Sequence, residues 1–157
     1  MSPGKSRREP ANPDRTPTLI VKSYRDFTAQ DAGSPVDAGR LSGEESGKFV
    51  LLSKGRSLHL ILSPVSLTPY HANIVYQYLH VEGRGEVEGV SSGGCRIITK
   101  GWEVHGGGHY TVQHWLHNIL FHGKSTAFGK YAVGKLGALS PDVAAKLGLE
   151  GYTLEFQ

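Results

Sequence analysis

Cysteine is almost absent from this chain. One thiol, Cys95, stands among 157 residues, which excludes an internal disulfide and suits a reducing compartment. Long apolar runs are missing too, so no membrane-spanning helix is expected. Behind the basic residues Lys5, Arg7 and Arg8 there is no apolar core, so a secretory leader is not expected. Glu9 and Asp14 speak against an organelle transit peptide. The expected location is cytoplasmic. Charge of one sign is also in short supply. Seventeen Lys and Arg face fourteen Asp and Glu, and they are scattered rather than arranged in the basic, aromatic-interleaved stripe that nucleic acid requires. Nucleic acid and membrane are therefore not expected partners, whereas a mild positive balance suits a site for anions. No repeat recurs at a solenoid period.

Three familiar motifs are approached and missed. Gly89-Val90-Ser91-Ser92-Gly93 has the spacing of a nucleophile elbow, and His105-Gly106-Gly107-Gly108 looks like an esterase oxyanion stretch. They stand in the wrong order, in a chain too short for that core. Gly123-Lys124-Ser125 resembles the end of a Walker loop, but the pattern needs a glycine where Asn118 stands. His105, His109, His114, His117 and His122 lie close in sequence, yet no Cys or acidic ligand joins them, and period-two alternation scatters them over both faces of a hairpin. No metal centre is expected from these histidines.

What is present falls into two parts. Residues 1–46 are rich in Pro, Gly, Ser and charge and read as a disordered, mobile N-terminal extension. Their one apolar patch, Thr18-Leu19-Ile20-Val21, leaves an edge strand open as the alternative. Residues 47–157 read as one domain. Lys48 to Ser53 and Ser57 to Ser63 are strand-like. A helix is expected from Pro69 to about Val81, capped by Thr68. Two further strands are expected at Glu86-Val87-Glu88 and from Cys95 to Thr99, then a flexible turn at His105–His109 and a strand from Leu116 to Phe121. A weak helix is expected from Tyr131 to Leu139 and a stronger one opened by Ser140-Pro141-Asp142. A last strand is expected from Tyr152 to Phe156. The fold class is α/β of the α+β kind, a mixed β-sheet flanked by a helix on each side.

His71 falls in the first turn of the expected helix, where the positive end of the helix dipole disfavours imidazolium. A neutral imidazole can take a proton. It can equally be a histidine packed under its helix, and periodicity does not separate the two. The residues from Lys124 to Ala127 form a small-residue turn able to aim successive amides at an anion.

Taken together, Tyr70-His71-Ala72-Asn73-Ile74, Gly93-Gly94-Cys95-Arg96-Ile97, Gly123-Lys124-Ser125-Thr126-Ala127-Phe128-Gly129 and Gly47-Lys48-Phe49-Val50-Leu51 resemble, in order, motifs of the janus/ocnus family. Its enzymatic member is a small phosphohistidine phosphatase. The resemblance spans about Gly47 to Phe156. It implies a phosphohistidine-phosphatase-like fold, no cofactor, and a monomer that acts on phosphohistidine-containing proteins or small phosphoramidates, with phospholysine as a further substrate. It implies His71 as the catalytic residue. It implies Arg96, Lys48, Ser125 and Ala127 as phosphate contacts, and the turn's amides from Lys124 to Ala127, Thr126 among them, are expected to add hydrogen bonds to the phosphoryl oxygens. Two departures accompany it. Asn73 stands where the family has aspartate, and no basic residue lies between Leu60 and Thr68, where the family places an arginine. Lys54 and Arg56 are the candidates to replace that arginine. An inactive, phospho-residue-binding relative is the alternative function.

Overall fold

Alternation along two long strands sorts the core into two layers. Phe49 and Leu51 point to one side of the sheet, Val50 and Leu52 to the other, and all four are fully buried. The computed structural model of the chain describes residues 18–27, 44–131, 134 and 140–157. The strands are β1 (Thr18–Ser23), β2 (Glu44–Lys54), β3 (Ser57–Ser63), β4 (Val87–Ser91), β5 (Gly94–Ile97), β6 (Trp102–Gln113), β7 (Asn118–His122) and β8 (Thr153–Phe156). Helix α1 spans His71–Tyr76 and continues as a wider π-helical stretch, Gln77–Val81. Helix α2 spans Ser140–Lys146.

Six strands form one sheet in the order β1-β3-β2-β6-β7-β8, and β4 with β5 forms a separate two-stranded sheet. The pairs β1–β3 and β7–β8 are parallel and the others antiparallel, so the main sheet is mixed. Val143 of α2 and Leu147 just after it pack with Phe49, Leu51, Leu60, Tyr110 and Phe121 on one face. Ile74, Val75, Tyr78 and Leu79 of the α1 segment pack with Val50, Leu52 and Ile61 on the other. The expected α+β class with a helix on each side is therefore what the chain adopts. No helix among the described residues is long and apolar enough to cross a membrane.

Several sequence expectations need correction. Thr18–Ser23 is an edge strand rather than part of a mobile tail, because Leu19 finds a place in the core against β3. β2 begins at Glu44, ahead of the expected boundary at 47. The rest of the expected extension, residues 1–17 and 28–43, lies outside the described residues. His105–His109 is no turn. It is the middle of the twelve-residue β6, held there because β2 and β7 pack too closely for side chains at Gly107 and Gly108. A Cβ would come 2.5 Å from the Phe49 carbonyl oxygen at the first and 2.6 Å from the His122 carbonyl oxygen at the second. β7 starts at Asn118, after a 3₁₀ turn over His114–Leu116 and a left-handed His117. Apart from Tyr131 and Gly134, the weak helix expected over Tyr131–Leu139 lies outside the described residues.

The start of α1 is also displaced. Thr68 does not cap it. Its buried hydroxyl bonds to Ser63 Oγ at 2.5 Å, inside a turn in which the Leu67 and Thr68 amides both donate to the Pro64 carbonyl. Tyr70 is the N-cap, with extended dihedrals. Asn73 supplies the capping acceptor, its Oδ1 taking the Tyr70 amide at 3.0 Å. A side chain three residues into a helix that reaches back in this way satisfies an otherwise orphaned donor. Asn73 thus supplies the cap through a neutral amide and puts no negative charge beside His71.

Candidate functional site

His71 is the first residue of α1, and only 6% of it is exposed. Its Nε2 lies 2.8 Å from the Gly108 carbonyl oxygen. A carbonyl only accepts, so Nε2 carries the hydrogen and, in the neutral ring, Nδ1 holds the lone pair. Burial pushes the imidazole below its usual titration range. The Gly108 bond opposes that shift, and Lys48 and His109 reinforce it. His71 is therefore a neutral base with one nitrogen fixed and the other without a hydrogen-bond partner among the described residues.

The backbone of β6 draws another predicted residue in. A Cβ on Gly107 would meet His71 Cδ2 at 3.0 Å and Ser125 Cβ at 3.5 Å, so this glycine is where α1 and the Ser125 turn come together. The turn closes on itself. Ser125 and Gly129 exchange backbone hydrogen bonds. Ser125 Oγ accepts from the Ala127 amide at 3.2 Å and the Phe128 amide at 3.0 Å. The Ser125 hydroxyl hydrogen is left to donate. The expected row of free amides is thus only partly free, with Ala127 satisfied inside the turn. Lys124 and Thr126 are exposed at its tip.

Lys48 reaches the same place from β2. Its Nζ donates to the Pro69 carbonyl at 2.5 Å and stands 5.5 Å from the Tyr70 ring. Across the sheet it pairs with His109 of β6, and His109 pairs with His122 of β7. The His109 ring makes an edge contact with His71 at 5.7 Å and stacks on His122 at 5.8 Å. His109, which composition left among scattered late histidines, is a neighbour of the predicted base. Seeing it beforehand would have needed the strand register, because one residue of slip sends a side chain to the other face.

Arg96 is not brought into this group. It sits on β5, 72% exposed, paired to Glu88 directly across the two-stranded sheet. It borders an open hollow of about 430 Å³ shared with Gly94, Cys95, Ala127 and Phe128. This hollow adjoins the Ser125 turn, since a Cβ on Gly94 would touch Ala127 Cβ at 3.6 Å. Cys95 offers no ready nucleophile there, because burial pushes its thiol up to about 11. Lys54 is no substitute for an upstream arginine. It lies at the far end of β2 beside Trp102, about 20 Å along the strand from Lys48, and Arg56 follows it in the exposed turn.

The remaining histidines have other partners. His105 bonds to Ser53 Oγ at 2.7 Å. His114 lies between Glu45 Oε2 at 2.5 Å and the Tyr152 hydroxyl at 2.7 Å. His122 bonds to Thr111 Oγ1 at 3.0 Å. Among the described residues no group of three His, Cys, Asp or Glu is placed to hold a metal ion. The chain was compared with protein-family models and with curated proteins, and it matches none of them.

Proposed function

We propose that this chain is a cofactor-independent protein-histidine phosphatase, hydrolysing the P–N bond of phosphohistidine and, as a second substrate, phospholysine. The observation that supports it most is the state of His71: uncharged, oriented through Nε2 by the Gly108 carbonyl, with Nδ1 unbonded among the described residues, Lys48 acting on the ring and the Ser125 turn meeting it at Gly107. A phosphoramidate needs little beyond positioning and stabilisation of charge on the phosphoryl oxygens. Lys48 retains two N–H donors after its bond to Pro69. The Ser125 hydroxyl and the turn around Lys124, Thr126 and Ala127 supply further contacts. Arg96 can add a guanidinium only when Glu88 releases it.

In the water route, His71 Nδ1 takes a proton as the water oxygen attacks phosphorus, the P–N bond breaks, and the substrate imidazole leaves neutral because its other ring nitrogen already carries a proton. In the covalent route, Nδ1 attacks phosphorus itself and displaces the substrate imidazole, and water then releases phosphate from the transient enzyme phosphohistidine. Trapping labelled phosphate on the protein selects the second. The test of the proposal is phosphate release from a phosphohistidine peptide by the full chain and by His71→Ala, with folding checked by circular dichroism. Release that stops in the variant supports the reading, and equal release refutes it.

A second reading is favoured by the Glu88–Arg96 pair, which leaves Lys48 as the only Lys or Arg against His71 among the described residues. A site so provided suits binding of a phosphorylated partner without turnover. Binding of the peptide with no release of phosphate would select this interaction module.

A further inference from the structure

We propose that His109 is the residue that grips the phosphoryl group opposite His71, its ring N–H donating to a phosphoryl oxygen between Lys48 and His122. The inference rests on reading this site as one for phosphoryl groups and assigns the contact that Arg96 does not make.

Three strands lie in register here. Lys48 faces His109 and His109 faces His122, so a lysine and two histidines cross the sheet in one row, each part-exposed. His109 is the middle member. It meets the His71 ring on one side and the His122 ring on the other. It also lies over Gly123, where a Cβ would come 2.9 Å from its Cδ2. Gly123 leads directly into the Ser125 turn, so His109 touches both sides of the candidate site.

Its neighbours are all engaged. His71 Nε2 is held by the Gly108 carbonyl, His122 Nε2 by the Thr111 hydroxyl, and Lys48 Nζ by the Pro69 carbonyl. Neither ring nitrogen of His109 has a hydrogen-bond partner among the described residues. An unengaged imidazole in a part-buried setting calls for a ligand, and the surrounding charge says which kind. The titratable groups facing it are Lys48 from β2, His71 from α1 and His122 from β7. No carboxylate acts on it among the described residues. A metal cation is disfavoured beside the Lys48 ammonium, whereas a compact dianion with oxygen acceptors matches both the charge and the free N–H.

The same surroundings couple binding to a proton. Burial first, then His122 and Lys48, hold the empty site's His109 below its usual range. A dianion against the ring reverses the sign of the local field and draws the proton on. Affinity for a phosphoryl group therefore rises as pH falls through the His109 titration, unlike a site built on an always-charged arginine.

Sulfate, which stays dianionic across the working range, is the probe. The full chain is titrated with sulfate from pH 5.5 to 8 by calorimetry, and the His109 ring carbon-bound protons are followed by NMR. Sulfate is expected to raise the His109 titration by about one pH unit or more. Its affinity is expected to fall about tenfold per pH unit between the free and the sulfate-bound titration of His109, the slope of one coupled proton, and to level off above the latter. His109→Gln should weaken sulfate at least about tenfold at pH 6 and flatten the slope. His109→Arg should restore binding and leave it flat. A His109 resonance indifferent to sulfate, or a His109→Gln variant with wild-type affinity and slope, would overturn the inference. Sulfate held through His109 with no phosphate released from phosphohistidine would overturn the hydrolase reading and leave this one standing. Hydrolysis undiminished in His109→Gln would do the reverse.

Discussion

The two faces of the main sheet are built from alternate residues of the same strands, yet they do different work. Under α2, β2, β6 and β7 present Phe49, Leu51, Tyr110, Val112, Ile119 and Phe121, a continuous apolar layer with edge-to-face ring contacts between Phe49, Phe121 and Tyr131. Under α1 the layer begins the same way, with Val50, Leu52 and Ile61. It then gives over to Lys48, His109 and His122 at the end where His71 and the Ser125 turn meet. One face is apolar except near the start of β2, where Glu45 meets Arg25 and His114, and it fixes the strands. The other is dry only far enough to anchor a helix, and spends the remainder on groups that titrate. A strand that alternates between the two ties the position of each polar side chain to the packing of its apolar neighbour.

The sharpest way to break that comparison is a pair of substitutions, one on each face. Phe121→Ala should cost about 3–5 kcal/mol of stability, measured by urea unfolding, while the folded fraction keeps its rate of phosphohistidine hydrolysis. His71→Gln should do the opposite, lowering the rate by about 10³-fold while stability changes by about 1 kcal/mol, the worth of the lost Gly108 bond. If Phe121→Ala slows turnover per folded molecule as much as His71→Gln does, the division of labour between the faces is wrong.

A second test stays within the α1 face and contrasts its dry and wet ends through pH. His59 lies at the dry end, bonded to the Tyr78 hydroxyl at 2.7 Å and Ser57 Oγ at 2.8 Å, and burial pushes it down to about 4. The folded state keeps this ring neutral, whereas the unfolded chain protonates it near its ordinary value of 6.5. The associated stability is present in full above pH 6.5 and is lost as pH falls toward 4, by about 2–3 kcal/mol. His71 and His109 are lowered as well and act in the same direction. Urea midpoints of wild type and His59→Gln at pH 4 and 7 isolate the His59 share, and the variant should lose that much less on acidification.

Smaller effects are expected from the two basic side chains, and they should differ. Lys48→Met removes the cation beside His71 and should weaken phosphate binding about tenfold, near 1.5 kcal/mol by calorimetry. Arg96→Met removes an exposed partner of Glu88 and should change phosphate affinity by less than about threefold. Equal losses from the two would bring Arg96 back into the site.

Much of the framework was legible because it is local. β3 alternates through His59 and then runs apolar to Leu62 before Pro64 stops it, β4 and β5 are joined by a Gly93 turn, and β8 alternates cleanly. The placement of His71 in a first turn was also legible, although Thr68, two residues upstream of the true cap, took the expected role. What could not be read depends on distant partners. Thr18–Ser23 becomes a strand only because β3 offers a parallel edge. Gly106-Gly107-Gly108 has the composition of a turn, and only the carbonyls of Lys130, Phe49 and His122 pressing on it explain why glycine is needed in a strand. Arg96 was drawn toward the site by the likeness of its Gly93–Ile97 stretch, while the structure gives it a carboxylate directly across the hairpin. His109 was passed over because its neighbours arrive from three other segments.

The parallel pairing of β1 has a consequence for solubility. β3 carries Leu58, Leu60, Ile61 and Leu62, and the backbone edge it turns away from β2 is occupied by Thr18–Ser23 from Ser57 to Leu62. Stripped of that cover, β3 would offer a bare row of amides and carbonyls to any passing chain, the usual seed of sheet-to-sheet aggregation. The short strand with Lys22 near its end acts as a guard rail, and shortened versions of the protein that begin after Ser23 should be handled as sticky ones.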